Sequence, residues 1–452
     1  MRVLLRAMGF WIWGLIAISL SASFVTVSYR LASIYHWHRT SVISSPTETT
    51  QVTTRAAARQ SVPPDTAKLK AGVVSRVIRK EMRAAQSALQ AGEWNEALRN
   101  LEAAQKISPL TAFDVKTIYE FKAYAYLKLK NLNDAQFAYE AELASGAVTV
   151  EETVNLFRTL FRLSVLNQEQ AKAIGYGEQL AEHGGASAED LGVLSQTYYL
   201  RKDCTNSAVW ADKAIAASRE AGEPPKENLY LFKLQCASDS GNAATMEAVL
   251  TDLIRLTHKS TYWNTLLRLE RQNERDDHST LMLYRLMYDT ASMTVGSDYI
   301  EMAQLLGDAS LPAEAQGVLE KAMNSGLILD QQKERTARLL TSFKTRADAD
   351  EQSYKQWDTE AADKPAGELG VKLGEVYYGF GEYQNTVTAI NKGLQKGQIN
   401  HLDDAYVYLG RADVALKDME SARAAFANLK TVPNISPRVS RLWNLYAETI
   451  AQ

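Results

Sequence analysis

Six histidines, two cysteines and a scatter of acids are the side chains of this 452-residue chain that could carry chemistry. The histidines are His36, His38, His183, His258, His278 and His401. None has an HExxH or CxxC neighbourhood, the spacings that bring two ligands onto one ion from a single turn of chain. No metal ligand is expected among them, and His36 and His38 fall in an aromatic cluster whose expected role is packing. There is no GxxxxGK[ST] loop to cradle phosphate and no GxSxG elbow to expose a nucleophile. The acid pairs Glu151-Glu152 and Asp276-Asp277 sit at expected helix starts, where carboxylates complement the helix dipole. The expectation is no enzyme, no cofactor and no small-molecule substrate. Cys204 and Cys236 matter only if the topology brings them together.

The elements that would position any of these side chains are helices. Pro contributes 10 residues and Gly 24, few breakers for so long a chain, while 46% hydrophobic and 23% charged residues suit a packed protein. A formal net charge of −3 supplies no field for a polyanion, so nucleic acid is not an expected partner. Internal repetition gives the architecture. In GVKLGEVYYGFGEYQNTVTAI, Leu373 and Gly374 precede Tyr377 by one turn, and Gly381 with Tyr383 marks a turn into a second helix. YVYLGRADVALKDMESARAAF repeats the theme with Leu409, Gly410, Ala422 and Phe426. QAGEWNEALRNLEAAQKISP supplies Gly92, Trp94, Ala97, Leu101, Ala104 and Pro109. Leu-Gly, then Tyr, then Gly-x-Tyr is the order of the tetratricopeptide repeat (TPR), in which small residues let two helices cross closely and large ones fill the gaps.

Small residues early in each second helix recur at Ala97, Ala135, Ala171, Ala208, Ser279, Ala315, Thr386 and Ala422, at intervals of 38, 36, 37, 71, 36, 71 and 36. Each 71 is close to two units, with degenerate repeats near Met246 and near residue 350. About ten units from about Val77 to about Pro433 follow: an all-α, right-handed TPR-type solenoid. Ser436, as a side-chain N-cap, and Pro437 are expected to start a final helix, 436–451, that caps the last repeat with Leu442, Leu445 and Tyr446 and turns Arg438, Arg441 and Glu448 to water. Within this frame Cys204 lies at a turn between two helices and Cys236 late in the next first helix, near the same edge. A bridge and two free thiols both fit.

The first 39 residues differ from the rest. Ala7 to Tyr29 has no charged residue and is long enough to cross a bilayer, which takes roughly 20 apolar residues. Arg2 and Arg6 precede it and Tyr29, Tyr35 and Trp37 follow, so residues 1–39 read as a transmembrane anchor, with a cleaved signal peptide as the alternative. Residues 40–66 are rich in Ser, Thr and Pro and read as a disordered linker. The repeat domain is 67–452. The expected place is the bacterial inner membrane, crossed once through residues 7–29, with the repeats in the periplasm; cleavage would leave a soluble periplasmic protein.

Tyr262, Trp263 and Leu266, followed by SDYIEMAQLLGDASLPAEAQGVLEKAMNSGLI, resemble TPR proteins associated with TonB energy-transducing systems. Ala303, Pro312, Ala315, Leu319, Glu320 and Gly326 fit that family's form, and the similarity is best from about Glu189 to Ile328. The resemblance implies an envelope scaffold beside a proton-motive-force-coupled transport complex. An assembly factor for envelope polysaccharide or lipoprotein export, or a cytoplasmic-facing TPR adaptor, are the alternatives. The Lys and Asn clamp by which some TPR domains grip a C-terminal carboxylate is missing: Met82, Gln86, Val371, Glu375 and Tyr408 stand at its positions. Protein partners are therefore expected to lie in the solenoid groove by another mode.

Overall fold

A computed structural model describes residues 72–450, with 273 and 434 excepted. The expected anchor and linker lie outside the described residues. The chain divides into two compact units, 1–185 and 186–452. The described part of the first has three helical hairpins: α1 (Arg79–Ala91) with α2 (Trp94–Gln105), α3 (Ala112–Lys128) with α4 (Leu132–Ala144), and α5 (Val150–Leu166) with α6 (Gln170–Glu182). The second opens with α7 (Ala188–Leu200) and α8 (Cys204–Glu220), α9 (Glu227–Asp239) and α10 (Ala243–Thr257), α11 (Ser260–Arg271) and α12 (Asp277–Asp289), and α13 (Gly296–Asp308) and α14 (Pro312–Asn324). It continues through a long single helix, α15 (Asp330–Asp363), then α16 (Glu368–Gly379) with α17 (Tyr383–Lys396), α18 (Leu402–Ala415) with α19 (Met419–Asn428), and α20 (Pro437–Thr449).

The hairpins share one turn. A residue with positive φ ends the first helix: Gly92, Lys130, Gln168, Lys202, Gly241, Ser310, Gly381 or Lys417. The amide that follows reaches back to the helix, as from Glu93 to the Ala88 carbonyl at 2.9 Å, satisfying a terminal acceptor. Five residues after that turn, a small side chain is buried where the helices cross: Ala97, Ala135, Ala173, Ser207, Ala315, Thr386 and Ala422. This corrects the expected register at two places. Ala171 is exposed and Ala208 only half-buried, because Ala at a solvent position costs nothing in a helix and mimics the crossing residue. Ser279 is also half-buried, since α12 follows a longer turn and its buried run begins at Leu281.

The other expected packing residues lie where the repeat requires. Trp263, Leu373, Tyr377 and Phe426 are buried, Trp94 and Leu409 half-buried. A Cβ on Gly374 would stand 2.4 Å from Ile390, and one on Gly410 would stand 2.5 Å from the Phe426 ring, so both helix pairs approach too closely for any side chain there.

Three expectations change. The degenerate unit near Met246 is a full hairpin, but the one near residue 350 is a single helix of 34 residues. Its sequence has neither Gly nor Pro to break it, and its buried residues Thr336, Phe343, Ala347 and Tyr354 trace one narrow stripe, enough for one helix and too little for a pair. Among the described residues, nine hairpins and the single helix α15 therefore stand where ten units were expected, followed by the expected last helix α20. Second, Ser436 makes no side-chain cap bond; Pro437 alone marks the start of α20.

Third, from α10 to α20 the second unit does not leave the open groove expected of the solenoid. Every residue from Leu281 to Met287 is buried, so α12 is covered on all sides, and α18 is buried from Asp403 through Asp413 except at Tyr406 and Leu409, which are half-buried. These helices touch each other. The last helix, α20, packs against α10 and α12 as well as α19. Arg255 pairs with Glu448 at 2.8 Å and Arg441 with Glu247 at 2.7 Å, so the side chains expected to face only water close the unit across its surface. Beneath them Tyr446 meets Trp263 edge-on, and Trp443, fully buried, stacks on Phe426.

Candidate functional site

The centre of the second unit holds charge rather than hydrocarbon. Arg285 and Asp289 come from α12, Glu314 from α14, and Asp404, Tyr408 and Arg411 from α18. Residues 285 and 289 lie one helical turn apart, as do 404, 408 and 411, so each helix turns one polar edge toward the other. The Arg411 guanidinium donates to both oxygens of Asp289 (2.8 and 3.2 Å) and to Glu314 at 2.7 Å. Arg285 donates to Asp404 at 3.0 Å and to the Tyr408 hydroxyl, which in turn donates to Glu314. Each guanidinium also lies over an aromatic face, Arg285 over Tyr408 and Arg411 over Tyr378, both at 4.5 Å. Burial pushes the Asp289 carboxyl up despite Arg411, whereas the two guanidinium groups overcome burial at Glu314 and hold it below its ordinary range. Glu375, buried beside Asp404, is pushed up to about 7, with Lys372 opposing the shift.

The void beside Glu314 and Glu375 is about 10 Å³, at the threshold for a single water. A larger hollow, about 460 Å³, is open to solvent at the seam of α10, α19 and α20 and gathers Arg255, Arg423 and Lys430 around Glu448. The core is suited to fixing the pairing of α12, α14 and α18.

Its rim differs. At the first turns of α12 and α18 the fold gathers His278, His401, Asp403 and Asp404, with one ligand atom from each lying within 4.8 Å of the others. The expectation of no metal-ligating group rested on local spacing, which does not detect a cluster whose members, such as His278 and Asp403, lie 125 residues apart. The local signals were Asp-Asp-His at 276–278 and His-x-Asp-Asp at 401–404, each placing a histidine beside acids at a helix start. Asp276 does cap α12 as expected, accepting from the Ser279 amide at 2.8 Å. His278 contacts Asp403 at 2.8 Å. That hydrogen bond raises the histidine's pKa and, against burial, lowers that of Asp403.

The first unit is organised differently. Among the described residues its helices make their main contacts with neighbours along the chain or the next first helix. Polar ladders at repeat spacing tie the hairpins: Lys116 to Glu152 at 2.5 Å, Gln136 to Glu169 at 2.5 Å, and Tyr176 and Lys172 to Glu140 at 3.1 and 3.0 Å. Glu142 is buried, one of its oxygens has no hydrogen-bond partner, and burial with the nearby Glu120 pushes its carboxyl up to about 8. Phe137, Val150 and Leu166 are exposed.

The five positions tested for the carboxylate clamp divide accordingly. Val371, Glu375 and Tyr408 are buried in the second unit, where the expected groove is filled; Met82 is core in the first, and Gln86 is half-buried there. The Cys204–Cys236 question resolves as a disulfide, with Cα atoms 5.6 Å apart, joining the start of α8 to the end of α9. No described helix is long and apolar enough to cross a membrane.

No family model and no curated protein matches the chain. Solved structures resemble it loosely. A tetratricopeptide repeat protein from Parabacteroides merdae is 12% identical over 82% of this chain and 99% of that one, with a TM-score of 0.29. The C-terminal part of a TPR protein from Cytophaga hutchinsonii is 11% identical over 80% and 98%, TM-score 0.27. The TPR2AB domain of yeast Sti1, in complex with an HSP90 peptide, is 11% identical over 59% and 98%, also at 0.27. With overlaps this loose, the repeat architecture stands on the hairpins themselves.

Proposed function

We propose that this chain is a non-enzymatic TPR-type scaffold that binds other proteins through its first unit, tethered in the bacterial inner membrane by residues 7–29 with its repeats in the periplasm. The observation that carries the reading is the contrast between units. In the second, the helices from α10 to α20 return on one another and bury α12 and α18, whereas the three-hairpin stack of the first shows no such closure and exposes Phe137, Val150 and Leu166. Stacked hairpins present extended surfaces of this kind to protein segments. The Cys204–Cys236 bridge supports an oxidising compartment. The Trp263 segment points the partner class toward TonB-type transport machinery.

A photocrosslinking residue at Phe137 or Leu166 tests the binding surface in living cells. Envelope proteins are the expected adducts, and adducts confined to cytoplasmic proteins would overturn the assignment. A C-terminal fusion to a fluorescent protein that matures only in the cytoplasm tests orientation separately: the fusion is expected to stay dark, and a bright one reverses the topology.

A further inference from the structure

We propose that the first turns of α12 and α18 form a binding site for a divalent transition-metal ion, with His278, His401, Asp403 and Asp404 as its ligands. Two imidazoles and two carboxylates suit zinc and its first-row neighbours. Two spacings are those of donors sharing an ion rather than bonding each other. His401 Nδ1 and Asp403 Oδ1 are 3.9 Å apart, and His278 Nδ1 and Asp404 Oδ2 are 3.7 Å apart. Both exceed a hydrogen bond, and four tetrahedral donors at about 2.0–2.1 Å from zinc stand roughly 3.3 Å from one another.

The second observation is an orphaned atom. Asp403 Oδ1 is buried with no hydrogen-bond partner, and the residue's side chain is 3% exposed. An unpartnered buried carboxylate oxygen is costly, and an ion between it and His401 would satisfy it. The remaining atoms act as supports. Asp403 Oδ2 meets His278 Nε2 at 2.8 Å, the contact that fixes a tautomer with Nδ1 free to ligate, and Asp404 turns its other oxygen to Arg285 at 3.0 Å. The two histidines are 31% and 52% exposed, so an ion enters from solvent on their side while the acids form the floor. Cys204 and Cys236, bridged, offer no competing thiolates. An ion here clamps α12 to α18 from positions far apart in the chain, at the edge of the buried ionic core.

Calorimetric titration of the tag-free full chain with ZnCl₂, alongside the variants His278→Ala and His401→Ala, tests the site. His36 and His38 remain in every variant, so differences report this cluster alone. One ion per chain is expected, and each variant should weaken it by more than the roughly 10–100-fold that loss of a supporting partner costs. His401 makes no side-chain cap bond, so His401→Ala is expected to keep wild-type circular dichroism. Zinc should raise the thermal midpoint of the wild type and leave that of His401→Ala unmoved. Absence of zinc binding, or binding and thermal shift equal in wild type and His401→Ala, would overturn the proposal.

Discussion

At the scale of single residues, Arg411 is the side chain whose loss is most costly for its size. It pairs with both Asp289 and Glu314, of which Glu314 is buried and Asp289 nearly so. Arg411→Met keeps the volume, strands Asp289 and leaves Glu314 only Tyr408 and the more distant Arg285, a change expected to cost about 3–5 kcal/mol, read as a lower urea midpoint. Glu142 gives the opposite experiment. Its carboxyl is pushed up to about 8 from an ordinary 4.5. Below the ordinary value it is protonated folded or unfolded; as pH rises toward 8 the unfolded chain releases the proton and the folded chain keeps it, so stability falls through that window. Glu142→Gln is therefore expected to match the wild type near pH 4 and exceed it at pH 8 by on the order of 2 kcal/mol. Denaturation midpoints at the two pH values measure this, and a difference that does not change with pH would refute it. Neither the ionic core nor the His278 cluster was legible in the sequence, because pairs such as Arg411 with Asp289 and His278 with Asp403 are more than a hundred residues apart and their chemistry exists only once α12 meets α18.

At the scale of elements the sequence was far more informative. Leu373-Gly374 and Leu409-Gly410 announced helix crossings, and the contacts a Cβ would make there agree. Gly410→Ala drives a methyl into Phe426 and is expected to cost about 1–3 kcal/mol by overpacking, seen as a lower melting temperature with unchanged helical content. The crossing register slipped at Ala171 and Ala208 because alanine is also the best helix former on a wet face. The turn five residues ahead carried the better signal, but at Gln168 and Lys202 it is not glycine, so composition did not reveal it. A gap of 71 residues could not distinguish a worn hairpin from α15; the missing Gly and Pro could have. The disulfide belongs to this scale too, since it joins two successive hairpins. Replacing both cysteines with serine is expected to cost about 2–4 kcal/mol, and thiol titration of the denatured, unreduced wild type is expected to find no free thiol.

At the scale of the whole molecule the two units obey different rules. The described hairpins of the first interact mainly locally, so each contributes its own stability and that of its nearest interfaces. The second returns on itself through α20. Removing residues 436–452 is expected to lower amide protection in α10 and α12 as well as in α18 and α19, measured by hydrogen exchange on the full chain. Loss confined to α18 and α19 would mean that α20 is only an end cap.

That return contact also has a clock. A hairpin meets its neighbour about 36 residues later, which at about 5–20 residues per second is roughly 2–7 s of synthesis. Glu448 follows Arg255 by 193 residues, or roughly 10–40 s at the same pace. Within that interval, from the time α12 is made, its surface that α18 and α20 will cover stands open to water, and Arg285 waits 119 residues for Asp404 on α18. Until α18 and α20 are made, the growing chain exposes a surface that the finished protein covers.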